Sequence, residues 1–312
     1  MRRLNSFLYF KKIRVLFSMS DWLVAPGPAS LDVAANLAAK LGAKLLKVEA
    51  IDFPDGESKI RVDDEVRNKK VIIVQSTYPP VDKHLVQLLA MSHKLSEDGA
   101  EVFAAVPYLG YARQDKEFMK GEIITLAVMA HLMRSVGIKR MVTVDIHSVQ
   151  ALGLFSFPVY SCSSIPLLAQ YISANFDLHR PLSVSPDFGS SMRVEAFAAV
   201  LKSEFLSFKK KRDRLTGEIT TEDQEINLLG RDAVIVDDMI STGGSVVKCA
   251  QLLKRHGASR IIATCAHPVL VGGAADKLKQ AGVNEIVSTN TIPSKFSKVD
   301  VSPLFSSYFE TL

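Results

Sequence analysis

The chain has 312 residues, of which 47% are hydrophobic and 23% charged, with 17 glycines and 13 prolines. Those proportions exclude a disordered, collagen-like or disulfide-scaffold protein, and the length suits two α/β domains of roughly 150 residues each. The formal charge of +5 sits in the first 20 residues, where Arg2, Arg3, Lys11, Lys12 and Arg14 face no acid, so from Asp21 onward 33 bases balance 33 acids. No basic face for nucleic acid is therefore expected. No uncharged apolar run reaches the roughly 18 residues that span a bilayer, so no membrane partner is expected either.

Residues 1–20 read as a basic leader that is no part of the fold. Lys11 and Lys12 interrupt the apolar stretch needed for a secretory signal. An organelle transit peptide fits the acid-free composition, but a natural start at Met19 is the favoured reading. The cysteines, Cys162, Cys249 and Cys265, are scattered and form no CxxC pair. That pattern suits a reducing, cytoplasmic setting and offers no metal-thiolate site.

In chain order, the apolar runs predict strands at 22–25, 44–50, 71–75, 101–106, 140–144, 182–185, 233–236, 260–265 and 285–288. Amphipathic stretches predict helices at 30–41, 82–97, 122–136, 165–175, 190–201, 245–256 and 273–280. In the first helix, Leu31, Ala34, Ala35, Ala38 and Leu41 give a 3.6-residue face, with Gly42 as its stop. Such alternation argues for α/β architecture, with mainly parallel sheets flanked by helices. VIIVQSTYPP at 71–80 leads through a helix to GAEVFAAVPYL, and VIVDDMISTGG at 234–244 leads through a helix to GASRIIATCAHPVL. The parallel predicts a duplicated domain, with an N-terminal unit at 21–160, a C-terminal unit at 161–312 and a cleft between them.

The strongest chemical motif is 234–245. A buried strand ends in Asp237 and Asp238. Ser241, Thr242, Gly243, Gly244 and Ser245 then supply hydroxyls, tight backbone turns and a helix N-terminus. Together these make a phosphate cradle, and the two carboxylates, which would repel the phosphate, are left for sugar hydroxyls or magnesium beside it. No GKS or GKT follows, so it is not a Walker loop. The alternative is an ordinary surface turn after a buried strand.

This segment resembles the phosphoribosyl-diphosphate signature shared by type I phosphoribosyltransferases and ribose-phosphate diphosphokinases. The resemblance implies that Asp237 and Asp238 hold the ribose 2- and 3-hydroxyls while the 241–245 loop holds the 5-phosphate. Ser241 and the double glycine look closer to archaeal-type members. Further motifs favour the diphosphokinases. Phe53-Pro54-Asp55-Gly56-Glu57 resembles their adenine-binding loop, which reaches the ATP of a neighbouring subunit and so implies at least a homodimer. Phe53 could stack on the base, and Asp55 and Glu57 could accept from an exocyclic amine; read without the family, Asp-Gly marks a hairpin turn. The run from Pro107 to Lys116 resembles the family's PYxGYARQD segment and implies that Arg113, Gln114 and Asp115 lie on the ATP side. Lys116 and Gly121-Glu122-Ile123 depart from the usual pattern. Asp145-Ile146-His147 resembles the family's DLH step, and Ser185-Pro186-Asp187-Phe188-Gly189 its SPDxG segment. These imply magnesium at His147 and Asp187. The basic run at 208–214 resembles a mobile catalytic loop, where Lys210 and Arg212 match best.

The resemblance spans residues 21 to about 303 in family order. It implies two type I phosphoribosyltransferase-like domains and a diphosphotransferase acting on ATP and ribose 5-phosphate with Mg2+, in nucleotide biosynthesis. A phosphoribosyltransferase would share the Asp-Asp loop but has no need of the 53–57 and 113–115 motifs. A silent regulatory homologue would be expected to have lost the cradle or the basic loop.

Overall fold

A computed structural model of the chain describes residues 21–186, 191–207, 210–212, 219–221 and 228–312. The expected leader lies outside the described residues. The N-terminal sheet has six parallel strands in the order β2-β1-β5-β6-β7-β8. These are β1 (Trp22–Pro26), β2 (Lys44–Leu45), β5 (Lys70–Val74), β6 (Glu101–Val106), β7 (Ile138–Val144) and β8 (Val159–Cys162). The C-terminal sheet repeats this plan in the order β10-β9-β13-β14-β15-β16. Its strands are β9 (Leu182–Ser185), β10 (Glu204–Ser207), β13 (Asp232–Met239), β14 (Arg260–His267), β15 (Glu285–Thr289) and β16 (Ser297–Val299). Each unit also inserts an antiparallel hairpin before its third sheet strand in sequence. The first pairs β3 (Val48–Asp52) with β4 (Ser58–Val62), and the second pairs β11 (Lys210–Arg212) with β12 (Ile219–Thr221). The strand order thus repeats element for element, and β5 and β13 are the two segments whose sequences run parallel.

Helices cover both faces, which is why the central strands are continuous apolar runs. Val71, Ile72, Ile73 and Val74 of β5 are all fully buried, as are Val234 and Val236 of β13. On the N-terminal sheet, α1 (Leu31–Leu41) packs on one face, and α2 (Val81–Glu97) and α3 (Thr125–Ser135) on the other. On the C-terminal sheet, α4 (Ile165–Asn175) and α5 (Ser191–Leu201) pack on one face, and α6 (Gly244–Arg255) and α7 (Ala274–Gln280) on the other.

The helix that follows the last strand of each sheet packs on the other sheet. Immediately after β8, α4 leaves its own sheet and buries Ile165, Leu168 and Ile172 against Val236, Ile262 and Val287 of the C-terminal sheet. After β16, α8 (Ser302–Phe309) returns to the N-terminal sheet, where Phe305 and Phe309 join Trp22, Val24, Leu37 and Phe103. The Trp22 ring meets Phe103 edge-on at 4.9 Å and Phe309 at 5.3 Å. Edge-on geometry adds to the burial of three aromatic side chains.

Two expectations are corrected. Residues 44–50 do not form one strand. Leu46 is buried and donates its N–H to Val24, but the Lys47 N–H goes to the Asp64 carboxylate at 2.8 Å, and the chain then turns out of the sheet into β3. In α1 the buried face is Val33, Ala34, Leu37 and Ala38, while Leu31 is 58% exposed. Asp32, Asn36 and Lys40, four residues apart, mark the solvent side, and the opposite face is broad enough in alanines that periodicity alone left its centre open. The larger Val33 and Leu37 settle against the sheet, and Gly42 ends the helix in the left-handed region as expected.

Candidate functional site

Strand β13 carries Asp237 and Asp238 to the carboxyl edge of the C-terminal sheet, where parallel sheets place their ligands. Both carboxylates are buried, and each turns back on the strand: Asp237 Oδ1 accepts the Asp238 N–H at 2.9 Å and Asp238 Oδ1 accepts the Met239 N–H at 3.0 Å. The Ile240 N–H donates to the His267 carbonyl on β14, which fixes where the following loop begins. That loop ends at Gly243, whose φ of 80° is in the left-handed region that favours glycine. No side chain caps α6. Its first N–H groups have no acceptor within the helix, and with the helix dipole they make a site suited to an anion.

The loop walls a cleft of about 360 Å³ lined by Ser241, Thr242, Gly243, Gly244, Ser245 and Lys248, with Asp237 at its floor. Arg113, which comes from the N-terminal unit, lines the same cleft. Arg113 reaches it from the β6–α3 loop. There the Gly110 N–H bonds to Thr77 Oγ1 at 2.7 Å, and a Cβ on Gly110 would stand 2.9 Å from the Thr77 carbonyl oxygen. Only glycine permits that approach.

A hydrogen bond joins the two units at the same edge. His147 Nδ1 donates to Asp238 Oδ2 at 2.7 Å, and Arg193 Nη2 stands 3.7 Å from the same oxygen. Burial alone would raise the Asp238 pKa. The hydrogen bond from His147, the Arg193 charge and the bond with Asp237 outweigh it and hold the carboxyl well below the usual range. A carboxylate can only accept, so Nδ1 carries the proton in this bond, and in the neutral ring the Nε2 lone pair is left for a metal ion. Asp145, expected beside His147, is used otherwise: its Oδ2 accepts the Ser164 N–H at 2.8 Å, and its Oδ1 accepts from Ser163 Oγ at 3.2 Å.

Of the residues singled out by sequence, Arg113, Asp237, Ser241, Thr242, Gly243, Gly244 and Ser245 meet around the cleft, and His147 and Asp238 meet beside it. Gln114 and Asp115 do not line it; Gln114 Oε1 accepts from Thr125 Oγ1 at 2.7 Å at the start of α3. Phe53, Asp55 and Glu57 form the exposed tip of the β3–β4 hairpin. Phe53 donates its N–H to the Glu57 carbonyl at 2.8 Å, and Gly56 takes φ 94°. Asp187 lies outside the described residues. Lys210 and Arg212 lie on β11, their side chains outside the described residues. Among the described residues no group of three or more His, Cys, Asp or Glu is set to hold a metal ion. Sequence reasoning missed Lys248, one turn into α6, and Arg193, whose place just after the 185–191 segment was the available signal.

Several known proteins are similar to this chain. The family model described as the N-terminal domain of ribose phosphate pyrophosphokinase matches residues 23–137, and that of the phosphoribosyl synthetase-associated domain matches residues 216–306. The ribose-phosphate pyrophosphokinase of Sulfurisphaera tokodaii is 37% identical over 286 residues, covering 90% of this chain and 98% of that protein. The ribose-phosphate pyrophosphokinase of Methanothermobacter thermautotrophicus is 39% identical over 280 residues, covering 89% and 96%. The crystal structure of phosphoribosylpyrophosphate synthetase from Mycobacterium smegmatis superposes with a TM-score of 0.82 at 29% identity, covering 93% of this chain and 98% of that one.

Proposed function

The chain belongs to the ribose-phosphate pyrophosphokinase family, and from that premise we infer that its cleft joins ATP to ribose 5-phosphate. The 1-hydroxyl oxygen of the sugar attacks the β-phosphorus. The bond from that phosphorus to the α,β-bridging oxygen breaks, giving 5-phosphoribosyl 1-diphosphate and AMP. The observation that carries this reading is that Arg113 of one unit and the 241–245 loop of the other line a single cleft. Two polyanions must meet there, so the work is alignment and charge neutralisation.

In this reading the loop N–H groups and the α6 N-terminus hold the 5-phosphate, with Lys248 adding charge at the rim. Asp237 and Asp238 orient the ribose hydroxyls. Arg113 pairs with ATP phosphate oxygens, for which its planar fork is suited, with Gln114 and Asp115 beside it. Lys210 and Arg212 close from the β11–β12 hairpin over the transferred group. His147 Nε2, turned away from the Asp238 bond at Nδ1, fits a magnesium ion, which binds few protein groups and keeps water and phosphate oxygens for the rest. Asp187 would be a further ligand. Bound Mg2+ would neutralise charge on the ATP phosphates. The exposed hairpin tip, with Phe53 at 43% exposure, supports an adenine contact to a neighbouring subunit in a homo-oligomer. The setting we propose is the cytoplasm, and among the described residues no helix is long and apolar enough to cross a membrane.

The test is to incubate the protein with ATP, ribose 5-phosphate and Mg2+ and to quantify AMP. AMP equimolar with 5-phosphoribosyl 1-diphosphate is expected. Failure to form AMP, with consumption of 5-phosphoribosyl 1-diphosphate by a nucleobase instead, would make the protein a phosphoribosyltransferase.

A further inference from the structure

His267 ends β14 and is fully enclosed between the two units. It holds both sides of the junction. Its backbone carbonyl accepts the Ile240 N–H at the start of the sugar-phosphate loop. Its ring crosses to the N-terminal unit, where Nε2 lies 3.1 Å from the Val144 carbonyl and 3.4 Å from that of Asp145. Carbonyls only accept, so Nε2 carries a proton. Burial lowers the pKa of the ring, which is therefore neutral, and Nδ1 accepts from Thr291 Oγ1 at 3.0 Å. The Tyr108 ring packs edge-on at 5.0 Å. Tyr108 in turn donates its N–H to Ser76 Oγ at 3.1 Å, and that hydroxyl donates to the Thr291 carbonyl at 2.7 Å. The ring is thereby fixed on each edge.

The backbone it grips is a strained one. Asp145 has φ 36°, a left-handed conformation that a side chain disfavours. The Asp145 carboxylate is tied to Ser163 and Ser164, which restrains one side of the turn. His267 restrains the other. Two residues on stands His147, whose ring meets Asp238 at 2.7 Å. We propose that His267 is a positioning residue: by bonding the Val144 and Asp145 carbonyls it holds the strained turn, and so holds His147 in register with Asp238 at the phosphate end of the cleft. This rests on the diphosphokinase reading above.

The experiment compares wild type with His267→Met, which fills the space without an N–H, and His267→Gln, whose amide can reach the same carbonyls. For His267→Met, kcat is expected to fall about tenfold or more, as for the loss of a buried hydrogen bond. Ribose 5-phosphate affinity by calorimetry should stay within about threefold, because the backbone bond to Ile240 survives. His267→Gln should recover most of kcat. In metal-free protein, the His147 amide and ring resonances should shift in His267→Met and return in His267→Gln. The idea is overturned if a folded His267→Met keeps wild-type kcat and His147 resonances, if Gln is as impaired as Met, or if the loss lies in ribose 5-phosphate binding. Should His267→Met not fold, Thr291→Val and Thr291→Ser decide: Val removes the bonds of Thr291 Oγ1 to Nδ1, to Thr289 and to the Ala266 carbonyl, whereas Ser keeps the hydroxyl. A fall in kcat in Val that Ser restores, with unchanged sugar affinity, supports the role, and wild-type kcat in Val overturns it. A wild type that forms no AMP fails the diphosphokinase reading instead, so the two failures are separable.

Discussion

His147 Nδ1 and Asp238 Oδ2 stand 2.7 Å apart across the two units, although 91 residues separate them in the chain. The bond gives the cleft an acid-sensitive element. The folded-state pKa of Asp238 is depressed, so its contribution to stability is complete above the unfolded value of about 3.9 and is lost as pH falls below it.

The first prediction follows from that sign. Asp238→Asn should flatten the decline of unfolding free energy below about pH 4, measured by denaturant titration at each pH. Near neutral pH the same change should lower kcat/KM for ribose 5-phosphate by roughly 10- to 100-fold, as expected for a hydrogen bond to a charged group.

The neighbouring glycines separate conformation from space. Gly243 has φ 80° and an added Cβ would touch Ala274 at 3.4 Å, whereas Gly244 has no atom within 4 Å of such a Cβ. Gly243→Ala should cost about 1–2 kcal/mol of stability because its side chain disfavours the left-handed region. Gly244→Ala should melt like wild type but bind ribose 5-phosphate more weakly, since its methyl enters the cradle. Thermal melts with calorimetry distinguish the two; equal melting temperatures would remove the role assigned to Gly243.

Lys248 and Lys210 should fail in different ways. Lys248→Met is expected to raise KM for ribose 5-phosphate by about three- to tenfold at low salt, with kcat unchanged and a smaller effect at high salt. Lys210→Ala should cut kcat about a hundredfold, the scale of lost transition-state charge stabilisation, and leave sugar binding intact. Steady-state kinetics at two ionic strengths checks both.

Phe305 is fully buried in the N-terminal core although it comes from the last helix. Phe305→Ala should cost about 3–5 kcal/mol, read from the urea midpoint. A loss below about 1 kcal/mol would mean that α8 is dispensable to that core.

The sequence disclosed most where local chemistry and burial coincide. A strand covered on both faces, two acids at its carboxyl end and a small-residue turn before a helix can be read without tertiary knowledge, and β13 with its loop and α6 is so built. The same holds for the duplicated strand order. What stayed hidden depends on distant partners. The ends of α8 and β1 lie far apart in sequence, so nothing near residue 309 shows that Trp22 packs on it. His147 and Asp238 were each conspicuous, but their pairing is a property of how the units meet. The many alanines of α1 left the centre of its buried face open, and Asp64, which bends the chain out of the sheet, sits 17 residues beyond the N–H it captures.

The crossover of α4 and α8 makes each sheet a lodging for a helix made by the other. Severing the backbone between 176 and 181 would leave one fragment lacking its lid and carrying a spare, and the second fragment the reverse. Such pieces are complementary by construction and should reassemble when mixed.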